Sequence, residues 1–270
     1  MAAAITAKDV NELRQKTGLG MMECKAALTE AGGDVQAAVD LLRKKGLAKM
    51  DSRTDRASAE GRVGVAVASD KSKAAIIEVN TETDFTAGND GFKAMIQTVA
   101  AEALKQGAGE VQKTDAMQSA IDNIRLTTKE NAQYRRGQVV GGAGSKVGTY
   151  VHFTGKIGVV VEVVGDAGDE LLKDLCMHIS AASPVPLGVT DADIPADVIA
   201  KEREIAKGQA IESGKPEAIA EKMVEGKIRK FLEETVLLKQ PFIKDTDKKI
   251  GDLLPKGVTV KSFVRYQVGG

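Results

Sequence analysis

The sequence has no tryptophan, and it has only six phenylalanines and three tyrosines among its 270 residues. Proteins that bind single-stranded nucleic acid without sequence preference combine a basic groove with aromatic side chains on which the bases stack. A basic surplus is also missing, because 38 lysines and arginines balance 38 aspartates and glutamates. The composition therefore argues against direct binding of nucleic acid, or of an anionic membrane, through overall charge.

Cysteine is scarce as well. Cys24 and Cys176 lie far apart in the sequence, and neither a signal peptide nor a long apolar segment precedes them. This usage is typical of a reduced cytosolic protein, so we expect a cytoplasmic location, no membrane attachment and no structural disulfide. Cys176 and His178 are two positions apart on a predicted helix and point to different faces, so we expect no metal site there.

The usual motifs of catalysis and nucleotide binding are not found. The glycine-rich run at 141–146 lacks the Gly-x4-Gly-Lys-Ser/Thr spacing of a phosphate loop, and a predicted strand follows it where a helix is needed. No Gly-x-Ser-x-Gly elbow, Cys–His pair or paired-carboxylate pattern is present. We therefore expect a protein that is not an enzyme and that binds neither a cofactor nor a metal of its own.

Residues 1–53 are predicted to form a module of three short helices. Thr6 and Asp34 are suited to cap the first and third helices, and the second begins near Gly20. Such a bundle resembles the small ubiquitin-associated type of module, and the charged segment 49–56 is predicted to be a linker. The following apolar residues recur at helical spacing: Val10, Leu13, Met22, Ala26, Ala27, Ala38, Leu41 and Leu42.

The rest of the chain contains a repeat. Residues 62–65 (Arg-Val-Gly-Val) are matched by 146–149 (Lys-Val-Gly-Thr), and 76–79 (Ile-Ile-Glu-Val) are matched by 160–163 (Val-Val-Glu-Val) at nearly the same separation. Each copy is predicted to be a β-hairpin that is followed by a covering helix. The predicted class is therefore α+β, with two repeated units of antiparallel sheet and helix.

Four further segments complete the predicted organisation. A first subdomain spans 54–140, and a second is formed by 141–190 together with 232–270, whose last strand returns to the sheet. Residues 191–231 lie between the two parts of the second subdomain. They are predicted to form a projecting antiparallel coiled coil, because the first helix has only a narrow apolar seam at Val198 and Ile205.

The two copies of the repeat differ after their second strands. The first copy uses several more residues to reach its helix, and this surplus includes Asp84 and Phe85. These residues lie in a mostly polar stretch that is predicted to be a loop, where burial of Phe85 within the chain is hard to arrange. Phe85 either serves a partner or folds back as a plug over its own sheet.

Two segments resemble the signatures of the elongation factor Ts family. They are 13–28 (Leu-Arg-Gln-Lys-Thr-Gly-Leu-Gly-Met-Met-Glu-Cys-Lys-Ala-Ala-Leu) and 78–85 (Glu-Val-Asn-Thr-Glu-Thr-Asp-Phe), and the similarity extends to 214–216, 220–227 and 240–242. Members of this family bind elongation factor Tu and accelerate the release of its GDP. The resemblance implies that this chain binds elongation factor Tu in its GDP-bound and nucleotide-free states.

The resemblance also implies which residues meet the partner. The segment Thr83, Asp84, Phe85 and Thr86 is expected near the nucleotide pocket, with Phe85 wedged between helices of the GTPase domain and Asp84 helping to displace the magnesium ion.

Two further contacts are implied. Leu13, Met21 and Met22 of the N-terminal module are expected to pack on the same GTPase domain of elongation factor Tu. His152 is expected to reach a β-domain of elongation factor Tu that is distant from the GTPase domain. From the residues alone, an exposed methionine is common, and a histidine on a strand is more often a hydrogen-bonded structural residue.

The sequence departs from the family pattern in two places. Relatives often carry valine, a small residue and a basic residue after the phenylalanine, whereas this chain has Thr86, Ala87 and Gly88, so we expect different anchoring of the loop. Many relatives continue into a helical C-terminal module, so we expect one helical contact with the GTPase domain to be missing.

Two other classes of function compete with this one. A nucleic-acid or ribosome-associated protein would use the α+β units and the lysine-rich hairpin as its platform, and it is disfavoured by the charge balance and the few aromatics. A ubiquitin-type adaptor would use the N-terminal bundle alone, which leaves most of the chain without a role.

Overall fold

The structure is a computed structural model that describes residues 5–51, 56–212 and 216–270. It is a mixture of helices and antiparallel sheets, which confirms the predicted α+β class. The predicted boundary between residues 53 and 54 lies outside the described residues, as does the turn at 214–215.

The N-terminal module consists of α1 (Ala7–Thr17), α2 (Met21–Glu30) and α3 (Val35–Asp51). The predicted caps are present: Asp9 N donates to Thr6 Oγ1 at 3.3 Å, and Ala37 N donates to Asp34 Oδ1 at 2.9 Å. Met22 and Ala26 lie on the exposed face of α2, which turns other residues into the module. The core residues of α2 are Cys24, Ala27 and Leu28.

The first subdomain follows the predicted order of hairpin, helix and further elements. Its sheet has the strand order β1-β2-β4-β3, with every neighbouring pair antiparallel. Its elements are β1 (Glu60–Val67), β2 (Lys73–Thr81), α4 (Asp84–Gly88), α5 (Asp90–Leu104), β3 (Gly109–Glu110), α6 (Asp115–Thr128) and β4 (Gln133–Gly141).

The second subdomain has a three-stranded sheet, β5-β6-β9, and a separate small sheet, β7-β8. Its last strand pairs with the middle of the sheet, as predicted. The elements are β5 (Ser145–Val151), β6 (Ile157–Val164), α7 (Asp169–Ala181), α8 (Ala196–Glu212), α9 (Glu217–Thr235), β7 (Pro241–Phe242), β8 (Asp245–Lys249) and β9 (Thr259–Gln267).

The repeat seen in the sequence is a repeat of strand register. Val63 pairs with Glu78 in the first hairpin, and Val147 pairs with Glu162 at the equivalent place in the second. In both copies the ladder to the third strand shifts register directly after that glutamate. The two halves are therefore the same structural unit, and α4 is an addition found in the first half.

The two sheets pack face to face, with helices on their outer faces. Alternate residues of β2 and β6 point outward to α5, α6 and α7, and the residues between them form a buried layer that includes Val63, Ile76 and Val160. Glu78 and Glu162 belong to the inward-facing set and are both buried. Each glutamate has a charged partner, since Arg136 Nε lies 2.7 Å from Glu78 Oε2 and Lys261 Nζ lies 3.0 Å from Glu162 Oε1.

The helical hairpin formed by α8 and α9 has its own apolar seam. The predicted seam residues are not the ones used, because Ile205 is exposed and Val198 is only partly buried. Small residues, Ala206 and Ala210, let the helices approach instead. The seam consists of Ile199, Ala206, Ala210, Ala220, Val224, Ile228 and Leu232.

The N-terminal module packs against α6 of the first subdomain. Leu126 of α6 is buried in the module's core, and Arg43 Nη2 donates to Ser119 Oγ at 2.9 Å. Gly46 permits this contact, because a Cβ at that position would overlap Leu126 Cδ2. The N-terminal module is therefore packed against the first subdomain.

His178 of α7 joins the second subdomain to the segment that follows the hairpin. Its buried ring donates from Nε2 to Gln240 Oε1 at 2.9 Å, because the Gln240 amide nitrogen is engaged with Pro184 O and Glu234 O. Its Nδ1 accepts from Ile243 N at 3.4 Å. Burial lowers the pKa of His178 below its usual 6.5, although the Gln240 bond opposes this.

We expect the protein to lose stability as the pH falls below 6.5, the ordinary pKa of histidine, because the unfolded chain takes up a proton that the folded His178 resists. Urea unfolding at several pH values measures this effect. His178→Gln should flatten the pH dependence of the free energy of unfolding between pH 7 and the lowered pKa. Equal pH slopes for wild type and His178→Gln would contradict the expectation.

Candidate partner-binding site

The segment that carries Asp84 and Phe85 is a short helix, α4, and not the predicted loop. Thr83 is its N-cap, with Thr86 N donating to Thr83 Oγ1 at 3.2 Å. Asn89 ends α4 and caps α5 by accepting from Gly91 N at 2.7 Å. A helix of five residues is too short to show an apolar period, which is why the sequence pattern indicated a loop.

The two faces of α4 differ in exposure. Thr86 and Ala87 are buried against the subdomain, whereas Asp84 is exposed and Phe85 has 88% of its surface accessible. The alternative in which Phe85 plugs its own sheet is therefore wrong. The Thr86 side chain is turned inward in the free protein, and its contact with a partner stays a prediction.

Glu130, directly after the C-cap of α6, holds the start of α4. Its Oε1 accepts from Thr83 Oγ1 at 2.6 Å, and its Oε2 accepts from Thr83 N and from Thr81 Oγ1, both at 3.1 Å. Burial acts to raise the pKa of Glu130, but hydrogen bonds from the surrounding threonines outweigh it and the pKa lies below its ordinary value. We call this set of bonds the Glu130 clamp.

A second carboxylate crosses the clamp in the opposite direction. Glu82 Oε1 accepts from Asn131 N at 2.7 Å, and Glu82 Oε2 accepts from Arg56 Nη1 at 3.2 Å. Each of the two chain segments thus contributes a carboxylate that binds the backbone of the other. The stretch 81–83 is fixed to 130–131 on both sides of the contact.

The C-terminal end of α4 meets the second subdomain through Arg62. Arg62 Nη1 donates to Ala87 O at 3.4 Å, and the guanidinium lies over Gly155 so closely that a Cβ at position 155 would overlap it. Gly155 belongs to the turn between β5 and β6, and its carbonyl accepts from Val63 N at 2.8 Å. This turn and α4 are therefore neighbours on the surface.

The same turn carries His152 and an exposed aromatic residue that the sequence reading missed. His152 follows the end of β5 and is not within the strand, and its Nδ1 lies 2.8 Å from Thr154 Oγ1. Phe153 is 87% exposed, and its ring centroid lies 4.3 Å from that of His152. An aromatic residue in a polar turn between two strands was the available signal, as it was for Phe85.

The three predicted residues of the N-terminal module fall into two groups. Met21 and Met22 lie in the first turn of α2 and are 48% and 77% exposed. Leu13 is completely buried in the core of the module. In the free protein its side chain packs α1 against the other two helices, and its contact with a partner stays a prediction.

The end of α6 connects these surfaces. Lys129 Nζ lies 3.2 Å from Glu23 Oε1 in the first turn of α2, and the next residue, Glu130, binds the start of α4. Lys129 adopts a left-handed conformation, with φ 61°, as the C-cap of the helix. Lys129 therefore contacts the helix that carries Met21 and Met22, and the next residue, Glu130, contacts the start of the helix that carries Phe85.

Comparison with known proteins decides the family. The family model described as "Elongation factor TS" matches residues 82–270. The elongation factor Ts of Methylococcus capsulatus is 49% identical, covering 98% of this chain and 92% of the relative, and that of Halorhodospira halophila is 47% identical with the same coverage. The chain belongs to the elongation factor Ts family. This membership gives it a role in translation elongation.

In this member of the elongation factor Ts family, the two signature segments lie on either side of the end of α6. The first contains α2 with Met21 and Met22, and the second leads from β2 into α4. Gly88 is the third residue after Phe85, and a Cβ at its position would meet nothing within 4 Å. Anchoring of α4 in this chain comes from the Glu130 clamp and Arg62.

Two features are absent among the residues that the structure describes. Within them, no group of three or more histidines, cysteines, aspartates and glutamates is placed to hold a metal ion. Within the same residues, no helix combines the length and the apolar character that crossing a membrane requires. Cys176 is buried in the core of the second subdomain, where burial raises the pKa of its thiol to about 12.

Proposed function

We propose that this chain is a guanine-nucleotide exchange factor for elongation factor Tu. It binds the GDP-bound partner, promotes loss of magnesium and GDP, remains bound to the nucleotide-free form, and leaves when GTP binds. It acts in the cytoplasm as a protein partner without catalytic residues, cofactor, direct nucleic-acid contact or membrane contact.

One observation carries the proposal. Phe85 is almost fully exposed on a helix whose two ends are fixed by the Glu130 clamp and by Arg62. An exposed phenylalanine on a mobile segment would lose conformational freedom on binding, whereas one on a fixed helix is already in place. The neighbouring Asp84 brings a carboxylate to the same exposed face. This pairing suits a wedge that enters a partner beside a bound cation.

The wedge requires additional contacts. Weakening nucleotide binding a thousandfold corresponds to ~4 kcal/mol of coupling, since each tenfold corresponds to ~1.4 kcal/mol. Burial of one phenylalanine contributes roughly 1.5–3 kcal/mol. Met21, Met22 and Phe153 supply further exposed contact groups, and the half-buried His152 ring lies beside Phe153. Because the coupling is reciprocal, nucleotide binding to elongation factor Tu must equally weaken the complex.

The direct test is the release of fluorescently labelled GDP from elongation factor Tu, with and without this protein. We expect faster release in proportion to the concentration of the added protein until the partner is saturated. An unchanged release rate over that range would contradict the proposal. An RNA-binding titration at several salt concentrations serves as the comparison, because tight binding with a steep salt dependence would favour the nucleic-acid alternative.

Asp84→Asn tests the role of the carboxylate. The variant should bind nucleotide-free elongation factor Tu nearly as well as wild type but should accelerate GDP release less, because a carboxylate interacts strongly with a nearby magnesium ion and an amide does not. The deficit should shrink when magnesium is chelated. Asp90→Asn is the control, because Asp90 is also an exposed aspartate but lies outside α4. A deficit that is the same with and without chelator would mean that Asp84 acts only through the structure of α4.

A further inference from the structure

We infer that Glu130 is a positioning residue for the partner-binding helix α4, which it holds in the orientation that presents Phe85. That Glu130 holds α4 is independent of the protein's activity, whereas the effect of Glu130 on nucleotide exchange rests on the proposed function. Glu130 lies far from α4 in the sequence and outside the two signature segments.

The geometry sets the start of α4 relative to α6. Thr83 is bound at two atoms by one carboxylate, through its backbone N at 3.1 Å and its hydroxyl at 2.6 Å. The same hydroxyl accepts from Thr86 N at 3.2 Å and so caps α4. The carboxylate, the cap and the first turn form one chain of hydrogen bonds. Removal of the carboxylate takes away the partner that orients the capping hydroxyl.

The ionised carboxylate suits this site better than any other side chain. Its two oxygens accept three hydrogen bonds, from Thr81 Oγ1, Thr83 N and Thr83 Oγ1. An amide of the same shape has only one oxygen acceptor, so at least one donor loses its partner. The lowered pKa of Glu130 agrees with this set of donors and keeps the clamp ionised in neutral solution. Glu130→Gln should therefore weaken the clamp, and Glu130→Ala should remove it.

Glu130 acts through α4 because its two carboxylate oxygens are already engaged within the chain. Its hydrogen-bonding partners lie at residues 81 and 83, and the exposed face of α4 carries Asp84 and Phe85. A residue that works only by placing Phe85 should lose its importance once Phe85 is gone. This property distinguishes positioning from direct contact in a double-mutant cycle.

The first measurement is amide hydrogen exchange of the free protein. Glu130→Ala should raise the exchange rates of the amides of 86, 87 and 89 by about tenfold, since hydrogen bonds to charged groups are among the stronger ones and local opening becomes easier without them. Asp193→Ala is the matched control, because Asp193 binds Thr190 N at 2.7 Å and Thr190 Oγ1 at 2.9 Å at a distant turn. Glu130→Gln gives the same reading if the alanine variant does not fold.

The second measurement is GDP release from elongation factor Tu. Glu130→Ala should slow stimulated release by about tenfold in the wild-type background and by less than about twofold when Phe85 is already alanine, because coupled residues are not additive. Unchanged amide exchange at α4 in both Glu130 variants would overturn the inference, as would equal losses in the two backgrounds. If wild type itself does not accelerate release, the proposed function fails, while the amide measurement still decides whether Glu130 holds α4.

Discussion

Phe85→Ala should leave the free protein as stable as wild type and slow the stimulated release of GDP by one to two decades. The stability should stay within about 0.5 kcal/mol, as for other surface substitutions, because the side chain is 88% exposed. The kinetic loss follows from roughly 1.5–3 kcal/mol of burial that is gained only in the complex. Thermal melts and release kinetics on the same preparation measure both quantities.

Phe92 provides the matched control for this substitution. It lies in α5, seven positions further along the chain, and is completely buried. Phe92→Ala should destabilise the protein by ~3–5 kcal/mol, as truncation of a core phenylalanine does. A Phe85→Ala protein that is destabilised to a similar degree, but exchanges normally per folded molecule, would contradict the assignment of α4.

Leu13→Ala should destabilise the N-terminal module by ~2–5 kcal/mol, because it removes a completely buried side chain from a small core. The free energy of unfolding of so small a module is low, so the substitution should unfold its helices. We therefore expect a marked fall in exchange activity. Amide hydrogen exchange resolved along α1, α2 and α3 measures the first effect. The amides of β2 and β6 in the same experiment report on the remainder of the fold.

Met22→Ala separates contact from folding within the same module. Because Met22 is 77% exposed, its truncation should change stability by no more than about 0.5 kcal/mol. If Met22 is buried in the complex, GDP release should slow by about tenfold, which corresponds to ~1.4 kcal/mol. Normal release by Met22→Ala beside slow release by Leu13→Ala would show that the module acts by supporting α6 and not by touching the partner.

Much of the fold could be predicted because its signals are local. Capping residues such as Thr6 and Asp34 mark helix starts, and matched strand patterns at 76–79 and 160–163 reveal the repeat. The seam of the hairpin was predicted wrongly because alanines hold it together. Spacing of large apolar residues points to Val198 and Ile205, whereas close helix packing used Ala206 and Ala210.

The site was predictable only in part. The position of Phe85 follows from the polar residues around it, and the same argument, applied to the turn after β5, would have found Phe153. The burial of Leu13 in the free protein depends on which face of α1 turns inward, which the signature motif does not state. The Glu130 clamp depends on a contact between segments distant in sequence, and one glutamate among many gives no local sign of it.

The position of β9 in the chain affects the order in which the two halves form during synthesis. All strands of the first sheet have been synthesised once Gly141 has been made. In the second sheet, β6 pairs with β5 and with β9 (Thr259–Gln267), and β9 follows the whole helical hairpin in the sequence. Loop-closure entropy rises only slowly with length, so the intervening hairpin adds little to the cost of that late pairing. The half that bears α4 is therefore assembled first as the chain emerges, and the other half is completed only after the hairpin and β9 have been made.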